Sequence, residues 1–188
     1  MKKVNFLLAL VAIVFTFSAF NPPVEKYVSS KTHIKFFSTT PVEDIEANNY
    51  TATSTINPVS GDVIFAVPMQ GFEFEKALMQ KHFNNADFLD TKQFPRASLK
   101  GKITNISEID FNRDGTYEAT VEGEFTLKGV TKSIKEKGQI TVKGGTVEVD
   151  SKFNITLADY GITFVKGKPS SNIAKTVEVS LKSEYQPL

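Results

Sequence analysis

The most regular stretch of the chain is Tyr117 to Lys128, where Tyr117, Ala119, Val121, Gly123, Phe125 and Leu127 alternate with Glu118, Thr120, Glu122, Glu124, Thr126 and Lys128. A period of two places the first set on one side of a strand and the charged set on the other, the pattern of a sheet with one buried and one wet face. The Gly129-Val130-Thr131 stretch turns the chain. Ile134, Gly138, Ile140 and Val142 then share a face opposite Lys135, Lys137, Gln139, Thr141 and Lys143. Gly144-Gly145 supplies a two-residue hairpin turn, because glycine accepts the positive φ such turns require. On the return strand Val147, Val149, Phe153, Ile155 and Leu157 point inward, and Glu148, Asp150, Lys152, Asn154 and Thr156 outward.

Weaker alternation predicts further strands near Val24 to Ser29, His33 to Ser38, Tyr50 to Ile56, Asp62 to Val67, Ala97 to Thr104 and Ile173 to Tyr185. Long strands without crossover helices favour an all-β fold, an antiparallel barrel closed so that no edge is left free; a sandwich is the alternative. Between Val67 and Phe94 the period changes. Phe74, Leu78 and His82, and likewise Glu75, Met79 and Phe83, recur at helical spacing, which predicts one short helix from about Phe74 to Phe83 with a sizeable apolar face. Asn84 and Asn85 favour its end. The stretches Asn105 to Gly115 and Val165 to Asn172 are polar and read as exposed loops.

The first twenty residues follow a different rule. Lys2 and Lys3 precede a run from Phe6 to Phe17 that is apolar except for Thr16, and small residues lead up to Asn21-Pro22-Pro23. That run is shorter than the roughly 20 apolar residues a spanning helix needs, and it matches a secretory signal cleaved near Ala19; an uncleaved anchor is the alternative. The expectation is a signal peptide over 1–20 followed by a single domain over 21–188, in a periplasmic or secreted protein with no stable membrane span after cleavage. Removal of the segment takes away Lys2 and Lys3 and no acid, so 20 basic and 21 acidic residues remain and the formal charge moves from +1 to −1.

Composition narrows the function. The 188 residues include no Cys, no Trp, two His and 16 Phe. Without cysteine there are no disulfides, thiolate metal sites, thiol nucleophiles or lipidated N-terminal Cys. Balanced charge with only Arg96 and Arg113 to make bidentate phosphate contacts argues against nucleic acid as a partner. His33 and His82 share no local metal-binding pattern. No phosphate loop, nucleophile elbow or local His-Asp-Ser arrangement is present. The expectation is a binding protein with no cofactor, no metal site and no catalytic residue. A homodimer is an assembly the sequence leaves open.

Small residues interrupt the large ones on the inward faces: Ala119, Gly123, Gly138 and Ser151 among Phe, Leu, Ile and Val. Either they leave a tunnel for an elongated apolar ligand or they alternate with large residues to fill a solid core. Glu136 stands out, because the alternation through Ile134 and Ile140 places it inward. An isolated interior acid is costly, so a bulge near Gly138 is expected to turn it to solvent.

Three ordered motifs then converge on a family. His82-Phe83-Asn84-Asn85-Ala86-Asp87-Phe88-Leu89-Asp90 with Gln93-Phe94-Pro95-Arg96-Ala97, the hairpin stretch Glu122 to Lys132, and Asp159-Tyr160-Gly161-Ile162 together resemble the signature segments of the YceI-like family. The resemblance implies an extended eight-stranded lipocalin-like antiparallel barrel with a short helical insert, whose lumen binds a long-chain isoprenoid or other lipid-like ligand. It implies no catalytic residues. By position it suggests Phe83, Phe88, Phe94, Phe125, Leu127, Phe153, Ile155, Tyr160 and Ile162 as core or lumen residues. The chain departs from the family pattern at Thr39 to Asn57, where Glu43, Asp44 and Glu46 replace a Gly-x-Phe sequence, and at Leu157-Ala158, where many members carry arginine. Lys132, Lys135 and Lys137 offer positive charge to an anionic head group but read more simply as a solvated strand face. The expected function is that of a carrier for a long apolar molecule, with a structural or protein-interaction module as the alternative and an enzyme as the least supported reading.

Overall fold

The computed structural model describes residues 24–163 and 173–188. The export segment expected over 1–20 and the loop expected at Val165 to Asn172 fall outside them. Among the described residues ten strands run β1 (Tyr27–Thr39), β2 (Asp44–Asn49), β3 (Thr53–Ile56), β4 (Asp62–Pro68), β5 (Phe72–Phe74), β6 (Arg96–Ile103), β7 (Gly115–Leu127), β8 (Val130–Lys143), β9 (Thr146–Thr156) and β10 (Thr176–Pro187), with one helix, α1 (Ala77–Asn84), between β5 and β6. All pairings are antiparallel, and β10 pairs with β1 to close the sheet on itself.

The barrel has eight strands because two of its staves are broken. β1 pairs first with β3 and farther along with β2, so β2 and β3 are one stave interrupted at Tyr50–Ala52. β4 pairs with β3 and β5 with β2, so β4 and β5 form the next stave, interrupted by a 3₁₀ turn at Met69–Gly71. Asn49, fully buried, joins the two breaks: its Nδ2 donates to the Pro68 carbonyl at 2.8 Å, and its Oδ1 accepts from the Thr51 amide at 2.9 Å. That side chain satisfies backbone groups which the kinks remove from the ladder.

Alternation accounts for most of the wall. Val177, Val179, Ser183 and Tyr185 of β10 are buried, as are Ile140 and Val142 of β8. Two-residue turns join β7 to β8 and β8 to β9, with positive φ at Lys128 and Gly129 and at Gly144 and Gly145. The first turn is therefore Lys128-Gly129, one residue earlier than the Gly129-Thr131 stretch expected, and Val130 already belongs to β8. The two strands expected at Val24 to Ser29 and His33 to Ser38 are one, carrying a bulge between Ser29 and Lys31.

Three other expectations are corrected. The helix starts at Ala77, because Phe72–Phe74 pairs as β5; only Phe83 of α1 is buried, while Leu78 stays 62% exposed. The segment Asn105 to Gly115 is not simply an exposed loop: Ile109 and Phe111 are buried, and Phe111 stacks on Tyr27 with ring centroids 5.5 Å apart. Asn105 fastens this segment to β7, accepting from the Thr120 amide and donating to the Glu118 carbonyl, both at 2.9 Å. Finally, no bulge lies near Gly138 in the β7–β8 ladder. Pairing runs unbroken from Gly115↔Val142 to Leu127↔Val130, with Val121 opposite Glu136, so Glu136 stays on the inward face.

Candidate functional site: the barrel lumen

The inward faces do not meet. They enclose an elongated cavity of about 180 Å³ that reaches from Ile56, Val63, Ile103 and Ile140 near one end to Phe36, Phe83, Phe88 and Leu89 at the other. An engineered apolar cavity of roughly 150 Å³ admits benzene and stays dry when empty, so a space this size with apolar walls is a site for a hydrophobic group. Its lining side chains come from every stave, which is why no single segment of sequence contains the site.

The ends of the lumen differ. At one, Tyr27, Ile56, Val63, Ile103, Ile140, Val147 and Tyr185 pack together under the Ile109–Phe111 segment. Tyr185 is fully buried, its hydroxyl 2.7 Å from Ser54 Oγ, and burial pushes its phenol up to about 12. At the other end Phe36, Phe72, Phe74 and Phe83 form a ring cluster with centroid separations of 5.0–6.0 Å, and Phe88 adjoins Phe83 at 6.3 Å. Phe83 and Phe88 are brought there by α1 and the turn after it, held by the bond from Gln80 Nε2 to the Phe72 carbonyl and by Thr91 Oγ1 donating to Asn84 Oδ1 at 2.8 Å. Phe36, Phe83, Phe88 and Ile173 face the lumen and also an outer groove beside α1, so this aromatic cluster is the partition between the cavity and solvent.

Seven of the nine side chains suggested by the family resemblance line the cavity: Phe83, Phe88, Phe125, Leu127, Phe153, Ile155 and Ile162. Phe94 and Tyr160 stand behind the lining. Phe94 lies against Gly129, where an added Cβ would come within 2.7 Å of its ring, and Tyr160 packs edge-on against Phe125 at 5.5 Å. The first half of the barrel supplies lining that the motifs did not single out, notably Ile34, Phe65, Val67, Met69 and Phe72. Their signal was the inward phase of β1, β4 and β5, blurred by the breaks at Tyr50–Ala52 and Met69–Gly71.

Polar groups are few in this lumen. Ser151 Oγ donates to the Lys137 carbonyl at 2.7 Å, and Glu136 faces the cavity with its carboxyl raised above the ordinary value by desolvation. Elsewhere, Lys135 is tied to Glu122 at 2.7 Å on the outer face, and the departing acids of the early hairpin are likewise engaged outside, Glu43 with Lys76 at 2.9 Å and Glu46 with Lys35 at 3.4 Å. His33 sits on the outer face too, stacked on Tyr50 and bonded to Asn48 at 2.8 Å. Among the described residues no His, Asp and Glu gather in a group able to hold a metal ion, and no hydrogen bond or ion pair joins His82 to Asp159 or Tyr160.

Comparison with known proteins agrees with this geometry. A polyisoprenoid binding domain from Saccharophagus degradans, implicated in plant cell wall breakdown, superimposes with a TM-score of 0.72 at 13% identity, covering 86% of this chain and 98% of that one. BcnA of Burkholderia cenocepacia gives a TM-score of 0.66 at 16% identity over 81% of this chain and 95% of its own. The YCEI protein of Campylobacter jejuni gives 0.55 at 12% identity over 97% and 91%. No curated protein sequence matches the chain. At these identities the structural likeness establishes the fold alone. The YceI-like domain pattern, however, matches residues 25–185, nearly the whole of the described barrel, and the chain therefore belongs to the YceI-like family.

Proposed function

We propose that this protein is an exported, non-catalytic carrier that holds a long apolar or amphiphilic molecule, an isoprenoid or another lipid, along the barrel lumen. The observation that carries the reading is the elongated apolar cavity ending at a partition of phenylalanines. Each buried CH₂ contributes roughly 0.8 kcal/mol, so a chain of modest length would bind well without any ionic contact. The cavity of about 180 Å³ has room for more than one ring, and the half-buried Phe36, Phe125 and Phe153 are the side chains with freedom to turn aside for a longer chain. Membership of a family with a polyisoprenoid-binding structural relative supports the ligand class. The apolar segment Phe6 to Phe17 after Lys2 and Lys3 supports export.

Native mass spectrometry of protein purified without detergent should show an adduct that organic extraction releases as a lipid. A protein whose mass is that of the bare chain, and which takes up no added polyprenol, would refute the carrier reading. N-terminal sequencing of the exported protein should begin near Phe20; a chain retaining Met1 in the membrane fraction would refute cleavage.

A further inference from the structure

The barrel wall has a seam. Pairing between β8 and β9 runs from Lys143↔Thr146 only as far as Gly138↔Ser151. Beyond that, β8 remains paired with β7 and β9 with β10, so Val130–Lys137 and Lys152–Thr156 diverge as two lips with no ladder between them. The bond from Ser151 Oγ to the Lys137 carbonyl marks the point where they part. Below it the 3₁₀ turn Leu157–Tyr160 packs against β8 and lays Tyr160 against Phe125. Glu136 is the first inward residue past the last paired position, so an acid faces the lumen at the head of the seam.

Glu136 makes no hydrogen bond or ion pair among the described residues. Desolvation is what raises its carboxyl, and its charge in turn helps raise the Tyr160 phenol after burial and Asp159. The register is unbroken, so this is a placed residue and not a slip of the strand. Among the described residues the lining holds three polar positions, Glu136, Lys137 and Ser151; Lys137 contributes its carbonyl, taken by Ser151, while alternation turns its exposed side chain outward, and the chemistry of the other two points one way. An ionised carboxylate only accepts hydrogen bonds, and the Ser151 hydroxyl has already committed its proton. A ligand whose polar end donates a hydrogen bond finds an acceptor there. A ligand ending in an anion finds like charge in a poorly solvated wall, where repulsion is felt more strongly than in water.

We propose that Glu136 is a specificity-determining residue: it seats the polar end of the ligand at the seam and selects lipids with an uncharged, hydrogen-bond-donating end over lipids of equal length ending in an anion. This rests on the lumen being the ligand site. The test compares 1-decanol with decanoate by titration calorimetry at pH 8, where decanoate is ionised, in the wild-type protein and in Glu136→Gln. The wild type should bind decanol at least thirtyfold more tightly than decanoate. In E136Q, decanoate should gain about tenfold and decanol lose a few-fold, because the amide keeps the shape and an acceptor but removes the charge. Glu136→Ala should shift the ratio in the same direction, which guards against an effect peculiar to one variant. Binding of both ligands with the same ratio in all three proteins would overturn the assignment and leave the lumen reading standing. Binding of neither ligand by any of them would overturn the lumen reading and the assignment with it.

Discussion

The two ends of the barrel are built from similar residues but packed to different tightness. Where Tyr27, Ile56 and Tyr185 meet, Ile56, Ile103, Ile140, Val147 and Tyr185 are each no more than 2% exposed, and the Ile109–Phe111 segment closes over them. At the α1 end Phe72, Phe83 and Phe88 keep 6–7% of their surface, and Phe36, Phe74, Phe125 and Phe153 are only partly covered. At the sealed end the aliphatic side chains are almost wholly covered, and close neighbours hold each in its place. A ring cluster can slide and tilt, since edge-on and offset arrangements of aromatic pairs differ little in energy. One end is accordingly a foundation, and the other a partition that can be displaced.

That contrast can be broken most directly by truncation. Ile109→Ala at the sealed end should cost about 3 kcal/mol in urea unfolding, as for a buried aliphatic that stands outside the cavity wall, with decanol affinity nearly unchanged. Phe125→Ala should cost less, about 1–2 kcal/mol, yet change decanol affinity several-fold, since its ring is half-buried and lines the cavity. Equal costs at the two ends would mean that the partition is as much a part of the core as the foundation.

Tyr185→Phe sharpens the comparison from the polar side. It leaves the buried Ser54 hydroxyl without its 2.7 Å partner and should lower stability by about 1–2 kcal/mol with no effect on ligand uptake, read as a shift in denaturation midpoint at constant slope. The turns give a third contrast. Gly129 and Gly144 both have positive φ, but a Cβ on Gly129 would meet the Phe94 ring at 2.7 Å, whereas nothing lies within 4 Å of one on Gly144. Gly129→Ala should therefore cost about 2 kcal/mol and Gly144→Ala about 1, the latter being backbone strain alone. If the two costs match, the contact with Phe94 contributes nothing.

The smallest effect concerns Glu136. The fold raises its pKa, so folding is favoured by the protonated form and opposed by the ionised one. Glu136→Gln should gain a few tenths of a kcal/mol at pH 7, a discount appropriate to a carboxyl that solvent still reaches, on the order of a surface charge term. The gain should shrink as pH falls and vanish below about 4.5, the ordinary glutamate value, where the carboxyl is protonated in both states. A gain that stays constant from pH 7 to pH 4 would show that desolvation of the charge is not its cause.

What could be read from sequence follows the continuity of alternation. β7, β8 and β9 were legible because each keeps its phase from end to end, and their glycine-containing turns fall where the phase resets. β2 and β5 were not, because Asp44 and Glu46 on the outer face mask Ile45 and Ala47, and because Phe72–Phe74 is too short to show a period. Ile109 and Phe111 are lone apolar residues in a polar stretch and carry no period, although they form the lid of the sealed end. Of the seven suggested side chains that line the cavity, five lie in the family motifs and Phe153 and Ile155 follow from the alternation of β9, while the first-half lining is hidden by the broken staves. Glu136 departs from expectation for a physical reason: β8 parts from β9 beyond Gly138, which alternation does not show, and the carboxyl there stays only partly buried, so no bulge is needed to turn it out.

The closure of β1 on β10 also sets the order in which this molecule can form. Thr32 and Ser183, joined at 2.8 Å, are separated by 151 positions, and the ladder around them unites the first strand with the last. The β6–β9 meander can assemble from neighbours in the chain, but β1 and β9 remain open edges until β10 arrives, so completion is a late, long-range event and slow on the scale of local pairing. During that interval the exposed edges are the places where a chain of this kind would cross-pair with another, and a nascent chain ending before Thr176 has no means of becoming a barrel.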